Sequence, residues 1–265
     1  MLFTDQLQRN IQLATIPKRI VSIVPSQTEL LFDLGLDEVV IGITKFCIHP
    51  TEWFKTKTRI GGTKNVNIEK VVQLQPDLII ANKEENIKED IEALEKIAPV
   101  WVSDITTLNE ALMMIKSVGE ITNTVDNATY IIDGIKNAFD DLKTLNVVEN
   151  LPVSKSCCYL IWQNPYMTVG ADTFINNMLQ YCGLQNVFAH QVRYPVVDTE
   201  ILQNAKPDVV LLSSEPFPFK QQHIQELQSI LPAAKIILVD GEMFSWYGSR
   251  LLQSPKYFRE LIDTI

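Results

Sequence analysis

A chain of 265 residues with 46% hydrophobic content suits one large or two medium packed domains and shows no disordered stretch. Its formal net charge of −9 argues against nucleic-acid binding, which needs clustered Lys and Arg. Four cysteines make no disulfide framework at this length; Cys157 and Cys158, adjacent on a strand, point to opposite faces, and small core residues are the expected role.

Residues 1–10 lack a basic stretch followed by an apolar one, so no secretory signal is read there. The expectation is either cytoplasmic residence or a leader already removed. No segment approaches the roughly 18 apolar residues of a membrane span.

Residues 19–24 read as a strand that stops at Pro25. Ser26-Gln27-Thr28-Glu29 then has capping-box spacing before a helix over 30–34, which Gly35 closes. A second strand over 39–43 leads into a loop rich in aromatic, Cys, His and Pro residues, from Phe46 to Trp53. A Gly61-Gly62 loop, a short helix from Asn67, a strand over 78–81, a charged helix over 84–97 and a strand over 100–102 follow. Val125, Ala128, Ile132, Ile135, Phe139 and Leu142 then mark the buried stripe of one long helix over 123–147, about 35 Å at 1.5 Å per residue. It is not Gly/Ser-rich, so a rigid strut is expected. The rest repeats the earlier pattern: a strand over 156–162, a loop to Asp172, a helix capped by Asp172 or Thr173, strands over 209–212 and 236–239, and a closing helix.

The repetition is written in the residues. An offset of 131 separates Glu69 from Glu200, Pro76 from Pro207 and Asp77 from Asp208, within segments that read helix, turn, strand. Leu34-Gly35-Leu36 is matched by Cys182-Gly183-Leu184, and Leu94-x-x-Ile97-x-Pro99 by Leu227-x-x-Ile230-x-Pro232. A period this long marks two similar lobes, and alternating helices with unbroken apolar strands predict a parallel sheet covered on both faces in each. The expected boundaries are 1–122 for the first α/β lobe, 123–148 for the bridging helix and 149–265 for the second lobe.

In such sheets ligands bind beyond the carboxyl ends of the strands. The loops there hold Phe46, Trp53, Trp162, Tyr166, Tyr194, Phe217, Phe219, Trp246 and Tyr247, an unusual density of rings that suggests a surface for a flat or bulky apolar ligand. Trp101, inside a strand, is expected in the core. Ser26 and Thr63 join the candidate ligand set, as do Arg193, Glu215, Glu242 and Arg250, suited to amide, carboxylate or phosphate groups. Cys47 and His49 supply two possible metal ligands where zinc wants four, and neither His190 nor His223 has a spacing that completes the set. No nucleotide-binding, phosphate-cradling, nucleophile-elbow or zinc-protease motif is present, which leans toward binding. The rival class is an enzyme on a two-lobed scaffold, such as a nucleotide-sugar transferase with Glu215 or Glu242 as base.

Residues 19–30, Arg-Ile-Val-Ser-Ile-Val-Pro-Ser-x-Thr-Glu-Leu, and 67–79, Asn-Ile-Glu-x-x-x-x-Leu-x-Pro-Asp-Leu-Ile, resemble the solute-binding proteins of ABC importers that carry cobalamin, haem and iron-siderophores, most of all the cobalamin-binding branch. The resemblance implies two Rossmann-like lobes bridged by one long α-helix, moving little on binding, with a metal-chelate held in the interlobe cleft as ligand rather than as intrinsic cofactor. It implies a periplasmic, monomeric, non-enzymatic protein, and Glu69 and Glu200 as surface acids that dock on the permease. A cytoplasmic chelate carrier is the alternative. By the same resemblance Phe46 stands where the cobalamin binders have a stacking tyrosine, and Trp162 with Tyr166 in their aromatic second-lobe loop. Gly61-Gly62-Thr63-Lys64 stands where they carry a tryptophan and Asn82 where they carry an aromatic, so cobalamin, haem and ferric siderophore all stay open as ligand.

Overall fold

The structure, a computed structural model, describes residues 1–148 and 155–265, and the side chains of all of these but 145–148. The expected start of the second lobe at residue 149 lies outside the described residues. The chain forms two compact units. One comprises Met1–Ile105, Asn109–Ile135 and Tyr247–Arg250; the other comprises Thr106–Leu108, Lys136–Trp246 and Leu251–Ile265.

The first unit is built on a five-stranded parallel sheet in the order Thr58–Arg59, Val40–Ile43, Ile20–Ser22, Leu78–Asn82, Val100–Ser103. The second has a four-stranded parallel sheet in the order Gln185–Asn186, Ser156–Leu160, Val209–Ser213, Lys235–Val239. All five residues of Leu78–Asn82 and of Val209–Ser213 are buried, as unbroken apolar strands require when both sheet faces are covered. Val21, Ile23, Val71, Ile79 and Leu94 centre one core; Leu160, Leu202, Val210, Leu212 and Leu227 centre the other.

The sequence repeat is a repeat of hydrogen bonds. Asn67 caps the helix Ile68–Leu74 by accepting from the Lys70 N–H, and Asp198 caps Thr199–Ala205 by accepting from that of Ile201. Each helix has seven residues and ends on a left-handed residue, Gln75 (φ 47°) or Lys206 (φ 46°), after which the Pro turns the chain into the next strand. The following aspartate reaches the neighbouring strand. Asp77 accepts from the backbone N–H of Lys18 (2.8 Å) and Arg19 (2.9 Å), while Asp208 accepts from the Ser156 N–H (2.8 Å) and hydroxyl (2.6 Å). Glu69 and Glu200 take the second position of their helices, both exposed.

Three local expectations change and one open choice is resolved. The capping box does not form: the helix runs Pro25–Asp33, starting on the proline, whose missing N–H costs nothing at a first turn, with Val24 as cap residue. Ser26 and Glu29 therefore lie inside it. The aromatic loop is in part a helix, Thr51–Thr56, whose one buried residue, Trp53, packs edge-on against Phe32 at 5.4 Å and donates to Asp37. The charged helix is only Lys88–Leu94. Asp172 does not cap the next helix, Phe174–Tyr181; Thr173 does, and Asp172 accepts from the Arg193 N–H.

The long helix spans Val125–Val148, with its residues to Ile135 in the first unit and from Lys136 in the second. Its buried stripe is Ala128, Ile131, Ile135, Phe139 and Leu142; Ile131 replaces the expected Ile132, and Val125, in the first turn, is exposed. In the second unit Phe139 meets the rings of Tyr181 (4.8 Å) and Phe258 (6.3 Å).

Replacing either helix cap, Asn67→Ala or Asp198→Ala, should cost about 1 kcal/mol, and the double variant about the sum, because the sites lie in separate units; urea unfolding reads this. The Ser156 hydroxyl and N–H hold the Asp208 carboxyl below the usual carboxylate range. Its contribution to stability is therefore present at neutral pH and is lost as pH falls below the unfolded-state value and through the lowered one. Thermal melts of Asp208→Asn should lack that part of the acid destabilisation.

Candidate functional site

In the first unit, the carboxyl ends of the strands rest on buried polar side chains. Asn82, which ends its strand, donates to the Ser103 hydroxyl (2.9 Å), and its side-chain oxygen accepts from the N–H groups of Glu84 and Glu85. Asn86 accepts from the Asn82 N–H and donates to the carbonyls of Ile23 (3.2 Å) and Thr63 (2.9 Å), tying three strand-end loops together. Asn82 thus belongs to a buried polar floor beneath the strand ends. Thr63 contributes its carbonyl to the same network.

Cys47 lies within this floor. Its sulfur is 3.1 Å from the Thr28 hydroxyl and 3.2 Å from that of Thr44, and no part of the residue reaches solvent. Burial pushes its thiol pKa up, so it stays a neutral packing group. His49 is half-buried and close enough to Glu29 to favour that residue's ionised form. Among the described residues no three His, Cys, Asp or Glu side chains are grouped to hold a metal ion.

Phe46 is the ring this unit presents, 51% exposed. Its N–H is held by the Thr44 hydroxyl (3.2 Å), and the preceding Lys45 N–H donates to Gly61 (2.8 Å), in the hairpin Gly61–Gly62 with Asn65–Val66. A Cβ at Gly62 would stand 3.2 Å from the Phe46 ring, so the glycine leaves room for the ring to lie over the hairpin.

Arg250 and Glu29, the latter expected in a capping box, form a two-bond ion pair at 2.6 and 3.0 Å. Burial pushes the Glu29 pKa up while Arg250 opposes the rise. Gly248 makes the approach possible: a Cβ there would be 2.9 Å from the Ser26 carbonyl oxygen. Ser26 and Tyr247 are buried in the same unit.

In the second unit the exposed ring is Trp162, 39% exposed, just beyond the strand Ser156–Leu160. It meets Phe217 edge-on at 5.7 Å, and Phe217 in turn packs on Phe219 (4.8 Å) and His223 (5.4 Å). Beside it, Glu226 accepts from Gln163 (2.9 Å) and from the Tyr166 hydroxyl (3.3 Å). Arg193 lies 5.7 Å over the Tyr194 ring. Its loop is seated by Gly170, where a Cβ would collide with Gln191 and Val192.

Glu215 is half-buried, its carboxylate accepting from Ser245 (2.6 Å) and from the indole N–H of the buried Trp246 (3.0 Å). Burial raises its pKa. Sequence reasoning named both residues as ligand contacts without seeing that they are partners of each other. It missed Lys45, whose ammonium sits 5.0 Å from the Phe46 centroid; adjacency to the exposed ring was the available signal.

A family described as "periplasmic binding protein" matches residues 20–235. An uncharacterized ABC transporter substrate-binding lipoprotein of Bacillus subtilis is 27% identical over 267 residues, covering 97% of this chain and 84% of the relative. Two solved structures share the fold. A periplasmic vitamin B12-binding protein of Vibrio cholerae superposes with a TM-score of 0.81 at 20% identity, covering 94% of this chain and 98% of the other. A periplasmic haem-binding protein from Roseiflexus sp. RS-1 has a TM-score of 0.80 at 20% identity, with 93% and 97% covered. The match extends over most of the chain, and this chain belongs to the periplasmic binding protein family.

Proposed function

We propose that this protein is the solute-binding component of an ABC importer, that it carries a bulky metal chelate, and that it works outside the cytoplasmic membrane. The observation that carries the ligand reading is the placement of exposed rings. Among the described residues three Phe, Tyr or Trp side chains are exposed: Tyr130 lies on the long helix, while Phe46 and Trp162 each stand at the carboxyl end of a parallel sheet, one per unit. Held by backbone hydrogen bonds and neighbouring rings, they keep apolar faces in water, an unfavourable arrangement that a flat apolar ligand relieves. The solved relatives named for vitamin B12 and for haem share this fold, and both ligands are macrocyclic metal complexes. The lipoprotein and periplasmic relatives support the extracytoplasmic site, and no helix among the described residues is long and apolar enough to cross a membrane.

Calorimetric and absorbance titrations with cyanocobalamin, haemin and ferric siderophores test the reading. At least one should bind, and Phe46→Ala or Trp162→Ala should weaken it by about 10- to 100-fold, the equivalent of burying one large apolar side chain. Binding of none would overturn it.

Glu69 and Glu200 support a docking role for the importer's membrane subunits, since the module that presents them is reproduced in both units. Glu69→Ala and Glu200→Ala should leave chelate affinity unchanged and reduce transport in reconstituted vesicles. Lost chelate affinity would refute the assignment.

A further inference from the structure

Lys45 differs from two other cations of its unit, Lys83 and Arg250. Lys83 is paired with Asp104 at 2.6 Å, and Arg250 with Glu29. Lys45 is exposed and makes no ion pair among the described residues; its ammonium rests on the face of the exposed Phe46 ring. Gly62 brings the two side chains together. A Cβ there would lie 3.6 Å from the Lys45 Cε and 3.2 Å from the Phe46 ring, so both side chains lie across the bare glycine. Lys64, at the tip of the same hairpin, is likewise exposed with no ion pair among the described residues.

A ligand that stacks on Phe46 comes within about one ring's width of this ammonium and strips water from it. An uncompensated charge is costly to desolvate, and the compensation depends on what the ligand's edge offers. An amide edge offers a neutral acceptor. An acid edge offers a charged one, and charge-assisted hydrogen bonds are about twice as strong. We infer that the chelate carried here is anionic, with acidic groups on its rim that Lys45 receives beside the Phe46 stacking face; this rests on the reading of the site as a chelate site.

The test uses matched pairs in which the acid is present or masked: haemin against its dimethyl ester, a monocarboxylate of cyanocobalamin against cyanocobalamin, and a ferric trihydroxamate bearing a free carboxylate against its methyl ester. Each is titrated into the wild type, Lys45→Gln and Lys45→Arg. The wild type should prefer the acid member of the pair it binds by about 10-fold, the equivalent of one charge-assisted bond. Lys45→Gln should lose that preference, Lys45→Arg should keep it, and added salt should weaken it. Thermal melts should show both variants as stable as the wild type, the side chain being exposed. Binding without an acid preference, or a preference that survives Lys45→Gln, overturns the inference while leaving the chelate reading standing. Binding of no member of any pair overturns both.

Discussion

Strand register at the centre of each sheet is the constraint on which the other features depend. In the first unit Ile20 pairs with Leu78, and in the second Cys157 with Val209. Both pairs are pinned at their amino ends by the carboxylate of Asp77 or Asp208, which holds the N–H groups at the start of the partner strand, Lys18 and Arg19 just before it or Ser156 as its first residue. A slip of one residue would exchange the two faces of a strand. Here both faces are buried, so a slip would also shift the strand-ending residues. Asn86, which accepts from the Asn82 N–H, would lose the Ile23 carbonyl just past the end of the slipped strand. The geometry at the carboxyl end is therefore set about five residues away, at the opposite edge of the sheet.

The two units use that common frame differently. The first builds a polar floor, in which asparagine amides and hydroxyls answer loop carbonyls and N–H groups, and sets one ring on it. The second builds its rim from rings, Trp162 on Phe217 and Phe217 on Phe219, with few polar anchors. Dispersion between rings tolerates small displacements, whereas buried amides with specific partners do not. The Glu29–Arg250 pair belongs to the first type. Such buried pairs add little net stability, but losing one partner strands a charge, so the pair fixes where residues 247–250 lie more than how stable the fold is.

Features set by local chemistry were legible in the sequence. The apolar strands, the glycine stops and the Pro-Asp turns each depend on a few adjacent residues, and their repetition made them readable twice. The capping box failed because Pro25 competes with Ser26 for the helix start, and a proline already suited to a first turn wins. Trp53 looked like a site residue because the helix around it is six residues long, too short to show a period. Arg250 and Glu29 are 221 positions apart, and nothing local to either announces the other. The exposure of Phe46 was legible as a ring in a loop; the space that lets it lie flat comes from a glycine 16 residues on, and only the fold connects them.

Charge acts on two length scales in this molecule. The chain carries −9 overall, which at long range disfavours any anion. At physiological ionic strength that field decays over about 8 Å, so a small ligand approaching one face feels little of the far surface. At contact the nearest cation matters most, and among the described residues Lys45 makes no ion pair. A protein with this distribution repels polyanions large enough to span its surface, such as nucleic acids, while the Lys45 site inferred above would give a small acid group a partner. Net charge and site charge therefore select for different properties of the ligand: the first limits its size, and the second rewards acid groups on its edge.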